Sequence, residues 1–143
     1  MRFLILSDIH ANVDAFDAVL AATPRSTWDR VIVLGDLVGY GAEPNAVIER
    51  VLALDPLVVI RGNHDKAACR LADASDFNHI ARLAAMWTAA ALSPENRMYL
   101  ERLPAGPILR RTFGPSSTGR RILSVAEERR RARRRHPSRL AVE

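Results

Sequence analysis

Residues 3–10 have the sequence Phe3-Leu4-Ile5-Leu6-Ser7-Asp8-Ile9-His10, in which four apolar residues lead directly into a carboxylate and an imidazole. Two further apolar runs, residues 31–34 and 57–60, are followed in the same way by polar residues, namely Asp36 after the first run and Asn63, His64 and Asp65 after the second. Short continuous runs of Val, Ile and Leu are typical of strands that are buried on both faces of a parallel sheet. The sequence therefore predicts three parallel strands, each followed by potential metal ligands.

Helices are predicted between these strands, because the intervening segments carry apolar residues at helical spacing. Asn12 is a suitable N-cap for a first helix, which should end at Thr23-Pro24. Pro44 suits the first turn of a second helix, which should stop before Asp55-Pro56. The order β-α-β-α-β implies right-handed crossovers and a parallel sheet. We therefore predict an α/β fold with helices covering the sheet.

The segment after Asp65 is predicted to be helical for about forty residues, from its apolar spacing. Ser93 followed by Pro94 indicates the start of a helix that ends near Leu103, and Pro107 is a candidate start for a further strand. One apolar stripe in this segment is predicted to pack in the core. Its members are Ile80, Leu83, Ala84, Trp87 and Ala91.

The polar residues after the strands are candidates for a metal site, since ligands of open α/β sheets bind outside the carboxyl ends of the strands. Asp8 and His10 flank Ile9, so on an extended strand end their side chains would point to the same side and could chelate one ion. An Asn-His-Asp string in a tight turn after a strand contributes little to packing. The alternative, in which the carboxylates and the amide are ordinary turn residues, stays open at this point.

Three motifs carry a resemblance to a known family. Taken in order, Asp8-x-His10, Gly35-Asp36-x-x-Gly39 and Gly62-Asn63-His64-Asp65 resemble the first three sequence blocks of the calcineurin-like metallophosphoesterases. The resemblance covers roughly residues 1–109. It implies a parallel or mixed sheet flanked by helices. It also implies an enzyme that hydrolyses a phosphomonoester or phosphodiester with a hydroxide activated by two divalent metal ions.

The resemblance further implies which residues would bind these ions. Asp8 and His10 would bind one metal ion, Asp36 would bridge the two ions, and Asn63 would bind the second ion through its amide oxygen. Oxygen and nitrogen ligands without thiolate suit Mn²⁺, Fe or Zn²⁺, and the sequence does not choose among them. The expected cofactors are therefore two divalent ions, and the expected partner is a phosphoester substrate.

Two residues are expected to act in catalysis without binding metal. By the same resemblance, His64 would protonate the leaving oxygen or stabilise the phosphoryl group. Asp65 would orient the imidazole of His64 through a hydrogen bond, as carboxylates do for functional histidines. Together with the four candidate ligands, these two residues complete the predicted site.

The family pattern continues with three further histidines, which this chain does not provide in the expected context. Its histidines are His10, His64, His79 and His136. His79 is expected on the surface of a helix, and His136 lies in an Arg-rich segment. We therefore expect an incomplete second metal site and a fold that is incomplete at the C-terminus, as in a truncated and catalytically impaired form of such an enzyme.

The charge distribution divides the chain into two parts. Residues 1–109 hold 10 basic and 13 acidic residues, whereas residues 110–143 hold 11 Arg and 3 Glu. We expect a domain over residues 1–109, followed by an Arg-rich degenerate or disordered tail, because such a run cannot bury a face. The tail could bind nucleic acid non-specifically. Specific binding is not expected, since no aromatic interleaving or folded motif accompanies the arginines.

Cysteine content and hydropathy suggest a location for the protein. Cys69 is the only cysteine, which fits a reducing cytoplasm. No apolar stretch of about 18 residues is present, so no membrane span is expected. The short apolar run after Met1 does not resemble a signal peptide. The sequence thus predicts a cytoplasmic protein.

Overall fold

Residues 1–108 are described by the computed structural model of this chain, and Met1–Pro104 form one compact unit. The strands and α-helices of this unit follow in the order β1 (Phe3–Leu6), α1 (Val13–Ala22), β2 (Arg30–Val33), α2 (Pro44–Ala53), β3 (Val58–Val59), α3 (Asn63–Ala68), α4 (His79–Ala91) and α5 (Pro94–Arg102). A short 3-10 turn, Arg25–Thr27, precedes β2. The predicted strand at Pro107 and the Arg-rich tail lie at and beyond the end of the described residues.

The three strands form one parallel sheet in the order β1-β2-β3. The hydrogen-bond ladder of β3 extends one residue beyond each of its ends, because the backbone N–H of Leu57 donates to Val31 and that of Ile60 donates to Val33. Parallel strands bring their carboxyl ends to the same edge of the sheet. The α/β fold predicted from the sequence is confirmed, and the loops after all three strands lie along one edge.

The helix boundaries follow the capping residues that the sequence indicated. The side chain of Asn12 accepts a hydrogen bond from the backbone N–H of Ala15 at 3.0 Å, and α1 ends at Ala22, just before Thr23. Pro44 is the first residue of α2. The hydroxyl of Ser93 accepts from the backbone N–H of Asn96 at the start of α5. The side chains of Asn12 and Ser93 satisfy N–H groups that have no partner within the helix, whereas Pro44 has no N–H that needs a partner.

The core lies between the sheet and the helices that follow β1 and β2. Its fully buried side chains come mainly from β2, from the loop after it and from α2, and α5 contributes Leu100. Burial of one such side chain stabilises the fold by about 1.5–3 kcal/mol. The larger members with almost no exposure are Val31, Val33, Leu37, Val38, Val47, Ile48, Val51 and Leu100. This core fixes β2 in the centre of the sheet.

Two expectations about the strands and the loop after them are corrected by the structure. Strand β1 is not buried on both faces, since Phe3 is 38% and Ile5 is 59% exposed. The reason is that β1 pairs only with β2 among the described residues and lies at an edge of the sheet. The Asn-His-Asp string does not form a tight turn; it forms the first turn of α3.

The apolar stripe predicted to pack in the core is also corrected. Ile80 is 70% exposed and Trp87 is 50% exposed, so these side chains of α4 do not face the core of the described unit. The buried face of α4 consists of small residues instead, namely Ala81, Ala85, Thr88 and Ala89. Small side chains at this spacing allow α4 to pack closely on its neighbours. Within residues 1–108, no helix is long and apolar enough to cross a membrane.

Candidate metal centre

The loops after β1 and β2 hold three candidate ligands in an uncommon backbone conformation. The φ angles of Asp8, His10 and Asp36 are 57°, 52° and 55°, which places all three residues in the left-handed region. Such a residue costs about 1–3 kcal/mol when it is not glycine, and residues of this kind cluster at functional sites. Hydrogen bonds between the two loops hold the strained backbone. The backbone N–H of His10 donates to the backbone carbonyl oxygen of Asp36 at 3.0 Å.

These loops bring the side chains of Asp8, His10 and Asp36 together. One ligand atom from each lies within 4.8 Å of the other two, and Nε2 of His10 lies 3.8 Å from Oδ1 of Asp8. The expected proximity of Asp8 and His10 is therefore present. Its basis is a left-handed turn, not the extended strand end that the sequence suggested. Two carboxylates and an imidazole at this spacing favour a bound cation, which offsets the repulsion between the carboxylates.

The ring of His10 has the orientation that a metal-binding histidine needs. Its Nδ1 lies 3.2 Å from the backbone carbonyl oxygen of Val38. A carbonyl oxygen can only accept, so Nδ1 is the donor in this contact, and in the neutral imidazole Nε2 is the nitrogen whose lone pair can bind a metal ion. Histidine ligands in metal sites commonly donate their other ring N–H to a backbone carbonyl in this way, which fixes both tautomer and ring orientation. The free nitrogen is the one that faces Asp8.

Two glycines allow the ends of β2 and β3 to touch backbone to backbone. A Cβ atom on Gly35 would lie 2.5 Å from the backbone nitrogen of Gly62, and a Cβ atom on Gly62 would overlap the side chain of Asp36. Gly35 also has a φ of 90°, which L side chains rarely adopt. Glycine at both positions is therefore required for the close approach that places Asp36.

Asp65 is fully buried and joins the loops after β2 and β3. Its Oδ2 accepts from the backbone N–H groups of Asp36 and Gly62, both at 2.9 Å, and its Oδ1 accepts from that of Val38 at 3.1 Å. Burial raises the pKa of Asp65 to about 6, although these three N–H donors favour the charged form. The predicted hydrogen bond from Asp65 to His64 is wrong, because the carboxylate is directed to backbone groups of the loops.

His64 lies beside the candidate ligands. Its backbone N–H donates to Oδ1 of Asp36 at 2.9 Å, and the centroid of its ring lies 4.8 Å from that of His10. Burial lowers the pKa of His64, while the neighbouring Asp36 opposes this effect. Two aromatic residues that the sequence did not single out, Tyr40 and Phe77, pack against the His64 ring. The only sequence signal for Tyr40 was its place between two glycines, and no sequence signal indicated that Phe77 would contact His64.

The remaining candidates are placed more simply. Asn63 is the first residue of α3, directly after Gly62, and its side chain is exposed. His79 is the exposed first residue of α4, which confirms its interpretation as a helix-surface residue. Among the six predicted site residues, the structure thus brings Asp8, His10, Asp36 and His64 together, and it uses Asp65 to hold their loops.

Comparison with known proteins identifies the family. The profile of the calcineurin-like phosphoesterases matches residues 1–134, so the chain belongs to this family. It is 37% identical over 100 residues to the uncharacterized protein MJ0912 of Methanocaldococcus jannaschii. Its structure is similar to that of a metallophosphoesterase from Sphaerobacter thermophilus, with 44% identity and a TM-score of 0.60. The hypothetical protein PH1004 from Pyrococcus horikoshii OT3 is also similar, with 25% identity and a TM-score of 0.55.

These matches cover most of this chain but less than half of each relative. The shared region is 70% of this chain and 41% of the Methanocaldococcus protein. For the two solved structures it is 73% of this chain against 42% of the first structure, and 72% against 48% of the second. The chain therefore spans less than half the length of the relatives it matches. Over the shared region, the parallel sheet flanked by helices matches the fold of the two solved structures.

Proposed function

We propose that this chain carries the metal-binding and proton-donating residues of a phosphoester hydrolase. The observation that carries the proposal is the convergence of Asp8, His10 and Asp36, together with a His10 tautomer that leaves Nε2 free. Such a donor set of carboxylate oxygen and imidazole nitrogen suits a divalent transition metal. Every candidate ligand lies before residue 66, so we propose that residues 1–109 carry the site as one unit.

The proposed ligand assignment extends to two ions. Asp8 and His10 would hold the first ion, Asp36 would be shared between both, and Asn63 would contribute its amide oxygen to the second. When bound, two divalent cations would neutralise the anionic phosphoester and lower the pKa of a water between them. The second ion would have only Asp36 and Asn63 within the described residues, so we expect it to be held weakly. The ions are of the Mn²⁺, Fe or Zn²⁺ type.

His64 is proposed to supply the proton that the leaving oxygen needs. Its ring lies next to that of the candidate ligand His10, with a centroid distance of 4.8 Å. Asp36 accepts the backbone N–H of His64, so a substrate that is bound near Asp36 is also near the proton donor.

The experiment is hydrolysis of a chromogenic phosphodiester and of a chromogenic phosphomonoester by the purified chain, with and without added Mn²⁺. We expect metal-dependent release of the chromophore, at a low rate because the second ion is weakly held. The variant Asp36→Asn should lose this activity, since it removes the charge shared between the two ions. Equal hydrolysis by Asp36→Asn and by the parent chain would refute the ligand assignment. A rate of chromophore release that is the same with and without Mn²⁺, and the same for the parent chain and the variant, would refute metal-dependent hydrolysis.

A further inference from the structure

The imidazole of His64 is buried without the hydrogen bond that orients most functional histidines. Among residues 1–108, its buried Nδ1 has no hydrogen-bond partner. The neighbouring carboxylate of Asp65 accepts hydrogen bonds from three backbone N–H groups and is not a partner of Nδ1. Functional imidazoles are usually held by a carboxylate or a carbonyl at one ring nitrogen. Another interaction must therefore determine the orientation of this ring.

Ring packing surrounds His64 on several sides. The centroid of Phe77 lies 4.6 Å from that of His64 with an interplanar angle of 36°, and the centroid of Tyr40 lies at 4.8 Å with an angle of 42°. The ring of His10 contacts it edge-on, with an interplanar angle of 80°. These distances and tilts are those of favourable aromatic pairs.

The backbone closes the position at Nδ1. A Cβ atom on Gly39 would lie 2.8 Å from Nδ1 of His64 and 3.2 Å from its Cβ atom, so the imidazole packs on bare glycine backbone. Gly39 also has a φ of 95°, which disfavours any larger residue. With glycine on one side and aromatic rings on the others, the ring has little freedom to turn.

We propose that Phe77 and Tyr40 are positioning residues that orient the imidazole of His64 by ring packing, in place of the missing hydrogen bond. Phe77 belongs to the segment between α3 and α4, so this segment takes part in forming the proton-donor site. The inference rests on the proposed function of His64 as proton donor. It adds Phe77, which has no polar side-chain group, to the residues that support this function.

Phe77 is the better residue for a test of this proposal. Tyr40 also packs against His10 at 5.0 Å and has a φ of 61°, so its substitution would disturb a candidate metal ligand and a strained turn. The ring of Phe77 contacts only that of His64 among the aromatic pairs of the described residues. The variant Phe77→Leu removes the ring and keeps an apolar side chain, and Phe77→Tyr keeps the ring. Phe3→Leu is the matched control, because it makes the same change on β1.

The first measurement uses the metal-free chain and does not depend on activity. NMR signals of the His64 imidazole protons, assigned with His64→Ala, report the magnetic effect of neighbouring rings. We expect Phe77→Leu to move these signals toward those of an exposed imidazole, whereas Phe77→Tyr and Phe3→Leu leave them close to the parent values. Circular dichroism checks folding, and Phe77→Met takes the place of any Phe77→Leu sample that is unfolded. Unchanged His64 signals in the ringless variant would overturn the proposal.

The second measurement separates a positioning role from a general structural one. We expect Phe77→Leu to lower kcat by about tenfold to a hundredfold, the usual effect of a misplaced catalytic group, with little change in KM or metal content. In the His64→Ala background the same substitution should have no further effect. An equal loss in both backgrounds would show that Phe77 acts other than through His64. If the parent chain hydrolyses no phosphoester, the proposed function fails, and the NMR measurement still decides the ring packing.

Discussion

The substitution Asp65→Asn tests whether Asp65 holds the loops of the site together. Both carboxylate oxygens of this fully buried residue accept hydrogen bonds from backbone N–H groups. Oδ1 accepts from Val38, and Oδ2 accepts from Asp36 and Gly62. An asparagine of the same shape replaces one of these oxygens with an NH₂ group. Because an NH₂ group cannot accept, at least one backbone N–H is left facing another donor in a buried position.

The size of the effect follows from these contacts. If the NH₂ group faces Val38, one hydrogen bond to a charged acceptor is lost, and two others become bonds to a neutral oxygen. A hydrogen bond to a charged group contributes about 1.5–3 kcal/mol, and an unsatisfied buried N–H costs a similar amount. Loss of the buried charge offsets part of this cost, because burial disfavours the ionised form of Asp65. We therefore expect Asp65→Asn to lower the free energy of unfolding by about 1–2 kcal/mol. Because burial raises the pKa of Asp65 to about 6, the comparison belongs at pH 7.5, where the carboxyl is ionised.

Urea denaturation of the metal-free chain, followed by circular dichroism, measures this change. The transition midpoint should fall while the slope of the free energy against urea concentration stays the same. The control is Asp73→Asn, the same change at an exposed carboxylate, which should shift the midpoint little. A variant as stable as the parent chain would refute the loop-tying role of Asp65.

Three further outcomes are expected from single substitutions. His64→Ala should keep the metal content of the parent chain and lose about 10²–10⁴ in turnover, as for a positioned proton donor, and a loss of metal on analysis would instead make His64 a ligand. Gly62→Ala should reduce both thermal stability and metal affinity, because its Cβ would overlap Asp36; calorimetry showing parent-like values for both would contradict the close approach of β2 and β3. Asn12→Ala should lower the free energy of unfolding by about 1 kcal/mol through loss of the α1 N-cap, and a urea transition identical to that of the parent would argue against the cap.

Much of the fold could be predicted because its local signals are independent of the rest of the chain. Apolar runs indicated the strands, and the N-caps Asn12 and Ser93 and the first-turn Pro44 indicated where three helices begin. Burial was harder to predict, since it depends on which elements are neighbours in space. The exposure of Ile5 on β1 and of Trp87 on α4 illustrates this, because both belong to apolar patterns that resemble buried ones.

The sequence indicated which residues come together at the candidate site, but not the backbone geometry that brings them together. Motif spacing identified Asp8, His10 and Asp36, and the structure places their ligand atoms within 4.8 Å of one another. The left-handed backbone of these residues could not be predicted, because it depends on hydrogen bonds between two loops. For the same reason the sequence assigned Asp65 to the wrong partner and missed Phe77, which contacts His64 from the segment between α3 and α4.

Metal titration of the metal-free chain tests the central claim most directly. Calorimetry with Mn²⁺ should show one ion bound per chain through Asp8, His10 and Asp36, with a second ion bound weakly or not at all. Asp36→Asn should lose most of this binding, and Asp76→Asn, the same change at an exposed residue, should keep it. Binding by Asp36→Asn equal to that of the parent chain would contradict the metal centre. Two tightly bound ions per parent chain would contradict the incomplete second site.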